Sequence, residues 1–115
     1  MEKVMVIKET MESYDSYIDK LGPGTEIIIN QIQNEEYQEA KQNLLNLLEG
    51  LMWLVEVNNM LSELNYFSSL DNNKINSLSE DMLEAMEQND FNLCADILQY
   101  EVKDLVNTLR KYSNN

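Results

Sequence analysis

The amino-acid sequence predicts an all-α protein, an antiparallel up-and-down bundle of four to five helices that opens with a short, broken helix pair. Three observations carry that prediction. Apolar residues recur at three- and four-residue spacing through most of the chain, which is the period of a helix with one buried face. Gly and Pro together number four, too few for a turn-rich sandwich or barrel. One turn signature occurs twice, as Gln33-Asn34-Glu35-Glu36-Tyr37 and Gln88-Asn89-Asp90-Phe91. Each copy is followed by a small residue (Ala40; Cys94 and Ala95) and then by leucines (Leu44 and Leu45; Leu98). In such a helix-to-helix turn an acid or amide caps the new helix, and the aromatic pins its first turn onto the bundle. A chain of 115 residues is a single domain, 1–115, with one modest core.

The first element is expected from about Val4 to Leu21, on the stripe Val4, Ile7, Met11, Tyr14, Ile18 and Leu21. An extended arm is the alternative for Val4 to Ile7. Gly22-Pro23-Gly24 is expected to stop this helix, because Gly and Pro together interrupt helical hydrogen bonding. Thr25 would then cap a short second helix, Glu26 to about Gln33, carrying Ile27, Ile28, Ile29 and Ile32. The third helix, from about Glu36 to Leu64, is the spine, with Tyr37, Ala40, Leu44, Leu47, Leu48, Leu51, Leu54, Val55 and Asn58 facing the core. Residues 65–73, rich in Ser and Asn, form a loop. A fourth helix follows from about Lys74 to Gln88, with Ile75, Leu78, Met82, Ala85 and Met86 inside and Ser77 with Glu80 as a capping box should it start late. The last runs from near Asp90 to Tyr112 on Phe91, Cys94, Leu98, Val102, Leu105, Leu109 and Tyr112. Arg110 and Lys111 would sit in its final turn, where cations offset the negative helix end.

The composition removes several function classes. The chain has no His and one Cys, so neither a zinc site nor a His-dependent nucleophile pair can be assembled. No phosphate loop is present; Gly22-Pro23-Gly24 lacks the spacing and the following Lys. Residues 71–76 depart from a calcium loop, with Ile75 at a ligand position and no Gly at the sixth. Glu80, Glu84 and Glu87 share a face and are expected to be a solvated acidic surface. Cys94 reads as buried filler. No cofactor, metal or catalytic residue is therefore expected, and the chain is not expected to be an enzyme. Net charge is −13, from 8 basic and 21 acidic residues, which disfavours nucleic acid and anionic membranes. No apolar run suits a signal peptide or a membrane span, so the expected location is cytoplasmic.

The segment from Leu47 to Leu61 is apolar nearly all round. Leu44, Leu47, Leu48, Leu51 and Val55 take one face, while Gly50, Trp53, Val57, Met60 and Leu61 take the other. Glu49, Glu56 and Glu63 form a narrow strip between them, and no basic residue occurs between Lys41 and Lys74. Two readings are open. Either an N-terminal helix covers the Trp53 face, with Gly50 permitting close approach, or part of that face receives a partner helix or a second copy of the chain.

Glu36-Tyr37-Gln38-Glu39-Ala40 and Asp90-Phe91-Asn92-Leu93-Cys94-Ala95, each an acid-aromatic hairpin leading into a leucine-rich helix, resemble small bacterial helical bundles of the flagellar export chaperone type. The run Leu48-Glu49-Gly50-Leu51-Met52-Trp53-Leu54 and residues 95–101 also resemble uncharacterised small bacterial helical proteins. The resemblance covers about Gln33 to Tyr112. It implies capture of a substrate's helices on an outer surface. The expected function is thus a non-enzymatic protein-binding module, adaptor or chaperone-like, that captures a partner's amphipathic helix with basic flanks or self-associates as a homodimer. Gly50, Trp53, Val57 and Met60 would anchor that partner, and Glu49, Glu56 and Glu63 would steer it. The alternative is an acidic inhibitor that imitates nucleic acid.

Overall fold

The computed structural model describes residues 2–66 and 70–114, with side chains described at 6–66 and 70–113. The assignment of Val4 to the first stripe falls outside the described side chains, and loop residues 67–69 fall outside the described residues. All regular structure among the described residues is helical. Helix α1 spans Glu2–Gln33, α2 Tyr37–Glu63 and α3 Asn72–Glu87. The last rod begins as α4 (Phe91–Asp96), passes through a π-helical stretch at Ile97–Val102 and continues as α5 (Lys103–Thr108). A 3-10 turn at Tyr112–Asn114 follows. α1 lies against α2 and the last rod, and α3 lies against the same two, which is the expected up-and-down bundle. The molecule measures 50 × 22 × 21 Å, so its long axis is the length of α1, about 48 Å at 1.5 Å per residue.

The largest departure from the sequence reading is at Gly22-Pro23-Gly24. No broken pair exists; α1 runs straight through Pro23. Three local facts permit this. A residue with a Cβ resists the helical conformation before Pro, and Gly22 has none. Pro23 is exposed, as is Asp19, so the carbonyl left without its N–H donor lies on the solvated face. The buried stripe is unbroken: Tyr14, Ile18, Leu21, Thr25, Ile28 and Ile32 follow one another at spacings of 4, 3, 4, 3 and 4. Thr25 is no cap. It is fully buried, and its hydroxyl donates to the Leu21 carbonyl at 2.7 Å.

Helix ends carry the second set of corrections. Asp90 Oδ1 accepts from the Leu93 N–H at 3.0 Å, as the second turn signature predicts. Glu36, in the equivalent place, makes no side-chain cap. α3 starts at Asn72 under an Asp71 cap, whose Oδ1 accepts from the Lys74 N–H at 3.0 Å, so Ser77 and Glu80 form no capping box. The final rod ends at Thr108, because Leu109 is extended (ψ 138°), leaving Arg110 and Lys111 outside any helical turn. Lys111 pairs instead with Asp19 at 2.7 Å. Asp15 receives the Tyr112 and Ser113 N–H groups at 2.8 and 3.1 Å, which fixes the 3-10 turn against α1.

Three helices end in the same motif. The second residue beyond the end is left-handed (Glu35 φ 60°, Asn65 φ 68°, Asn89 φ 54°). The next N–H reaches back five residues: Glu36 to Gln31, Tyr66 to Leu61 and Asp90 to Ala85, at 2.8 to 2.9 Å. Glycine is the usual residue for that conformation, yet every glycine of this chain lies inside a helix.

The core joins all four rods. Tyr14, Leu44, Leu51, Leu54, Leu61, Ile75, Leu78, Met82, Leu98, Val102 and Leu105 are essentially inaccessible. Truncating any one of these leucines to Ala would cost about 2–5 kcal/mol through lost transfer energy and an unfilled cavity. Asn58 is buried as expected and accepts from the Tyr112 hydroxyl at 3.1 Å. Tyr37, placed in the core stripe by its spacing, is 40% exposed. It stacks on Phe91 with ring centroids 4.6 Å apart. The two turn aromatics meet each other at one end of the bundle, with Phe91 also packed against the core and Tyr37 covering it from outside.

Candidate functional site

α2 is the most apolar rod, and the structure shows how each of its faces is used. Its first face, Leu44, Leu47, Leu48, Leu51 and Val55, is buried in the core. The second face meets α1. A Cβ at Gly50 would overlap the Tyr17 phenol, so the missing side chain makes room for the hydroxyl end of that ring against the helix. Trp53 is half-buried, with its ring 6.0 Å from Tyr17 and 6.4 Å from Tyr14. Burial raises the Tyr17 pKa, because the phenolate loses its hydration in that seat. Val57 is buried. Of the sequence-predicted anchors, Met60 alone stands out in solvent, at 45% exposure. Glu49, Glu56 and Glu63 are exposed.

Trp53 does not stand on an open surface. Its ring is a ridge between two depressions. On the α1 side it borders a polar trough with Glu9, Glu12, Ser13, Ser16, Tyr17 and Lys20. On the α3 side it borders an apolar groove of about 370 Å³, together with Leu45, Leu48, Glu49, Met52, Glu56 and Leu83. Leu45, Met52 and Leu83 are each about 40% exposed, large apolar side chains with no cover. The groove brings together Trp53, Glu49 and Glu56 of the predicted set. It excludes Gly50 and Val57, which serve packing, and Met60 and Glu63, which lie further along α2.

Leu45, Met52 and Leu83 were not among the residues expected from sequence. A signal for two of them exists: Leu45, Glu49, Met52 and Glu56 follow at spacings of 4, 3 and 4, a stripe with leucine and methionine seven apart and acids seven apart. Leu83 carries no such signal, since its place beside α2 is set by how α3 packs.

Charge is distributed unevenly over the bundle. The ion pairs among the described residues are Lys74 with Asp104, Lys103 with Glu26 and Lys111 with Asp19. Each ties the C-terminal end of the chain to α1 or α3, and none involves α2. The carboxylates that line the groove, Glu49 and Glu56 on α2, are exposed and join no ion pair among the described residues; Glu80, Glu84 and Glu87 on α3 are exposed and equally unpaired there, with Glu84 lining a depression on the α4 side.

No group of His, Cys, Asp and Glu among the described residues is arranged to hold a metal ion. Cys94 is fully buried, and its thiol is pushed up to about 11 by burial and by Asp90. Among the described residues no helix is long and apolar enough to cross a membrane. Residues 9–112 match the model of a family described as a domain of unknown function, DUF8042. No curated protein and no solved structure matches the chain.

Proposed function

The chain belongs to the DUF8042 family, and from the geometry above we propose that it is a non-enzymatic helical binding module that takes up a partner's amphipathic helix in the α2/α3 groove. The observation that carries this reading is the uncovered trio Leu45, Met52 and Leu83 around the edge of Trp53. Leucine and methionine are costly to leave in water, at about 25 cal/mol per Å². A groove between two neighbouring antiparallel rods is the shape into which a further helix packs. Methionine adapts to the partner's side chains, and Trp53 supplies a rigid wall already fixed by Tyr14 and Tyr17. An export-chaperone-like role would use the same surface to keep a substrate helix from self-assembly.

The test is a double variant, Met52→Asp with Leu83→Asp. Both side chains are substantially exposed, so the bundle should keep its helicity and melting transition while losing capture of the partner. Trp53→Asp is the poorer probe, because it would also remove the seat of Tyr14 and Tyr17. Capture by the folded double variant at native strength would overturn the proposal.

A further inference from the structure

We infer that the occupant of the groove is a cationic helix aligned with α2, whose Lys or Arg residues flank its apolar stripe at seven-residue intervals. The inference rests on the helix-capture reading and adds the partner's chemistry. Glu49 and Glu56 line the groove on α2, about 10.5 Å apart at 1.5 Å per residue, with Met52 between them and Leu45 one turn before Glu49. A helix laid along α2 meets that pattern in register only when its own apolar and charged positions repeat every two turns. Glu80 and Glu87 stand three and four residues from Leu83 along α3, so the opposite rim is acidic as well.

Among the described residues no ion pair reaches Glu49 or Glu56. The paired lysines (Lys74, Lys103 and Lys111) are spent at the C-terminal end of the molecule. An anionic or neutral helix would leave the rim carboxylates beside apolar surface without a counter-charge, whereas a cationic one supplies it. The same consideration disfavours a second copy of the chain, since two-fold pairing would set Glu49 and Glu56 of each copy against the same acids at a net charge of −13 per protomer.

Three tryptophan-free 21-residue peptides decide the matter, each with leucines on one heptad stripe. The first has lysines flanking the stripe, the second has glutamates there, and the third has the same lysines moved to the far face. Binding at 150 mM salt is read by peptide anisotropy and by Trp53 emission. The flanking-lysine peptide should bind and shift the emission. Glu49→Lys with Glu56→Lys should weaken it by about tenfold and let the glutamate peptide bind; Glu49→Gln with Glu56→Gln should fall between. Equal binding of the lysine and glutamate peptides would overturn the charge assignment and leave helix capture standing. Equal binding of the two lysine peptides would reduce the effect to non-specific attraction and overturn the register. Absence of binding by all three, or a dimer whose assembly shifts Trp53 emission, would overturn both readings.

Discussion

Glu35 sits at φ 60°, a region that an ordinary side chain enters at a cost of roughly 1–2 kcal/mol. Asn65 and Asn89, in the two equivalent helix ends, belong to the residue type that tolerates it best after glycine. Glu35→Gly should therefore stabilise the protein by about 1 kcal/mol, read as a raised urea midpoint at unchanged m-value. Gly50 presents the opposite case. Ala is favoured over Gly inside a helix by about 1 kcal/mol, but overpacking costs about 1–3 kcal/mol, and here the added Cβ would land on the Tyr17 ring. Gly50→Ala should lose about 1 kcal/mol net and should change Trp53 emission as Tyr17 is displaced. Unchanged emission would show that Tyr17 does not rest on the Trp53 side of that helix.

At the scale of the element, α1 is where local propensity and tertiary packing disagree most. Pro23 removes one helical hydrogen bond, and an interior proline costs about 3 kcal/mol relative to alanine. The helix continues because the Ile18, Leu21, Thr25 and Ile28 face is buried on both sides of the interruption. Pro23→Ala should stabilise the fold by about 1–3 kcal/mol, with a partial offset from the looser unfolded chain. A loss of stability would mean that Pro23 serves to shape the helix. The last rod shows a second compromise. Cys94, Leu98, Val102 and Leu105 are buried at spacings of 4, 4 and 3, and two fours in succession overrun a 3.6-residue turn. The π-helical stretch at Ile97–Val102 takes up the excess and keeps one face inward. Those two successive fours were legible in the sequence. The break at Leu109 was not, because an in-register Tyr112 hid it; that residue returns to the core from a 3-10 turn held by Asp15.

For the whole molecule, alkaline pH is an informative stress. The Cys94 thiol is raised from 9.0 to about 11 in the folded state, and Tyr17 is raised above 10.0. Both groups ionise more readily when unfolded, so the unfolded state sheds protons first as pH rises. Their contribution is intact below about pH 9 and is lost as pH climbs through 11. The urea midpoint should hold between pH 7 and 8.5 and fall steadily by pH 10.5, with a shallower fall in Cys94→Ala. A fall of equal slope in that variant would assign the effect to other groups.

The sequence by itself determined the helical period, the order of the rods from α2 onward, the sharp turns at Glu35 and Asn89, and most of the residues of α2 and α3 that are buried, Tyr37 excepted. Those features depend on neighbours three or four positions away, which a linear chain displays directly. Of the face expected from Gly50, Trp53, Val57 and Met60, with Glu49, Glu56 and Glu63 beside it, Trp53, Glu49 and Glu56 line the groove. Only the tertiary structure decided that α1 crosses its Gly-Pro-Gly, that Tyr17 covers Gly50, that Tyr37 meets Phe91, and that Leu83 closes the groove from α3. Each of these pairs residues distant along the chain, or sets a local cost of a few kcal/mol against burial gained elsewhere. Periodicity reports which face of a helix is apolar; the packing of the rods fixes which part of that face stays uncovered.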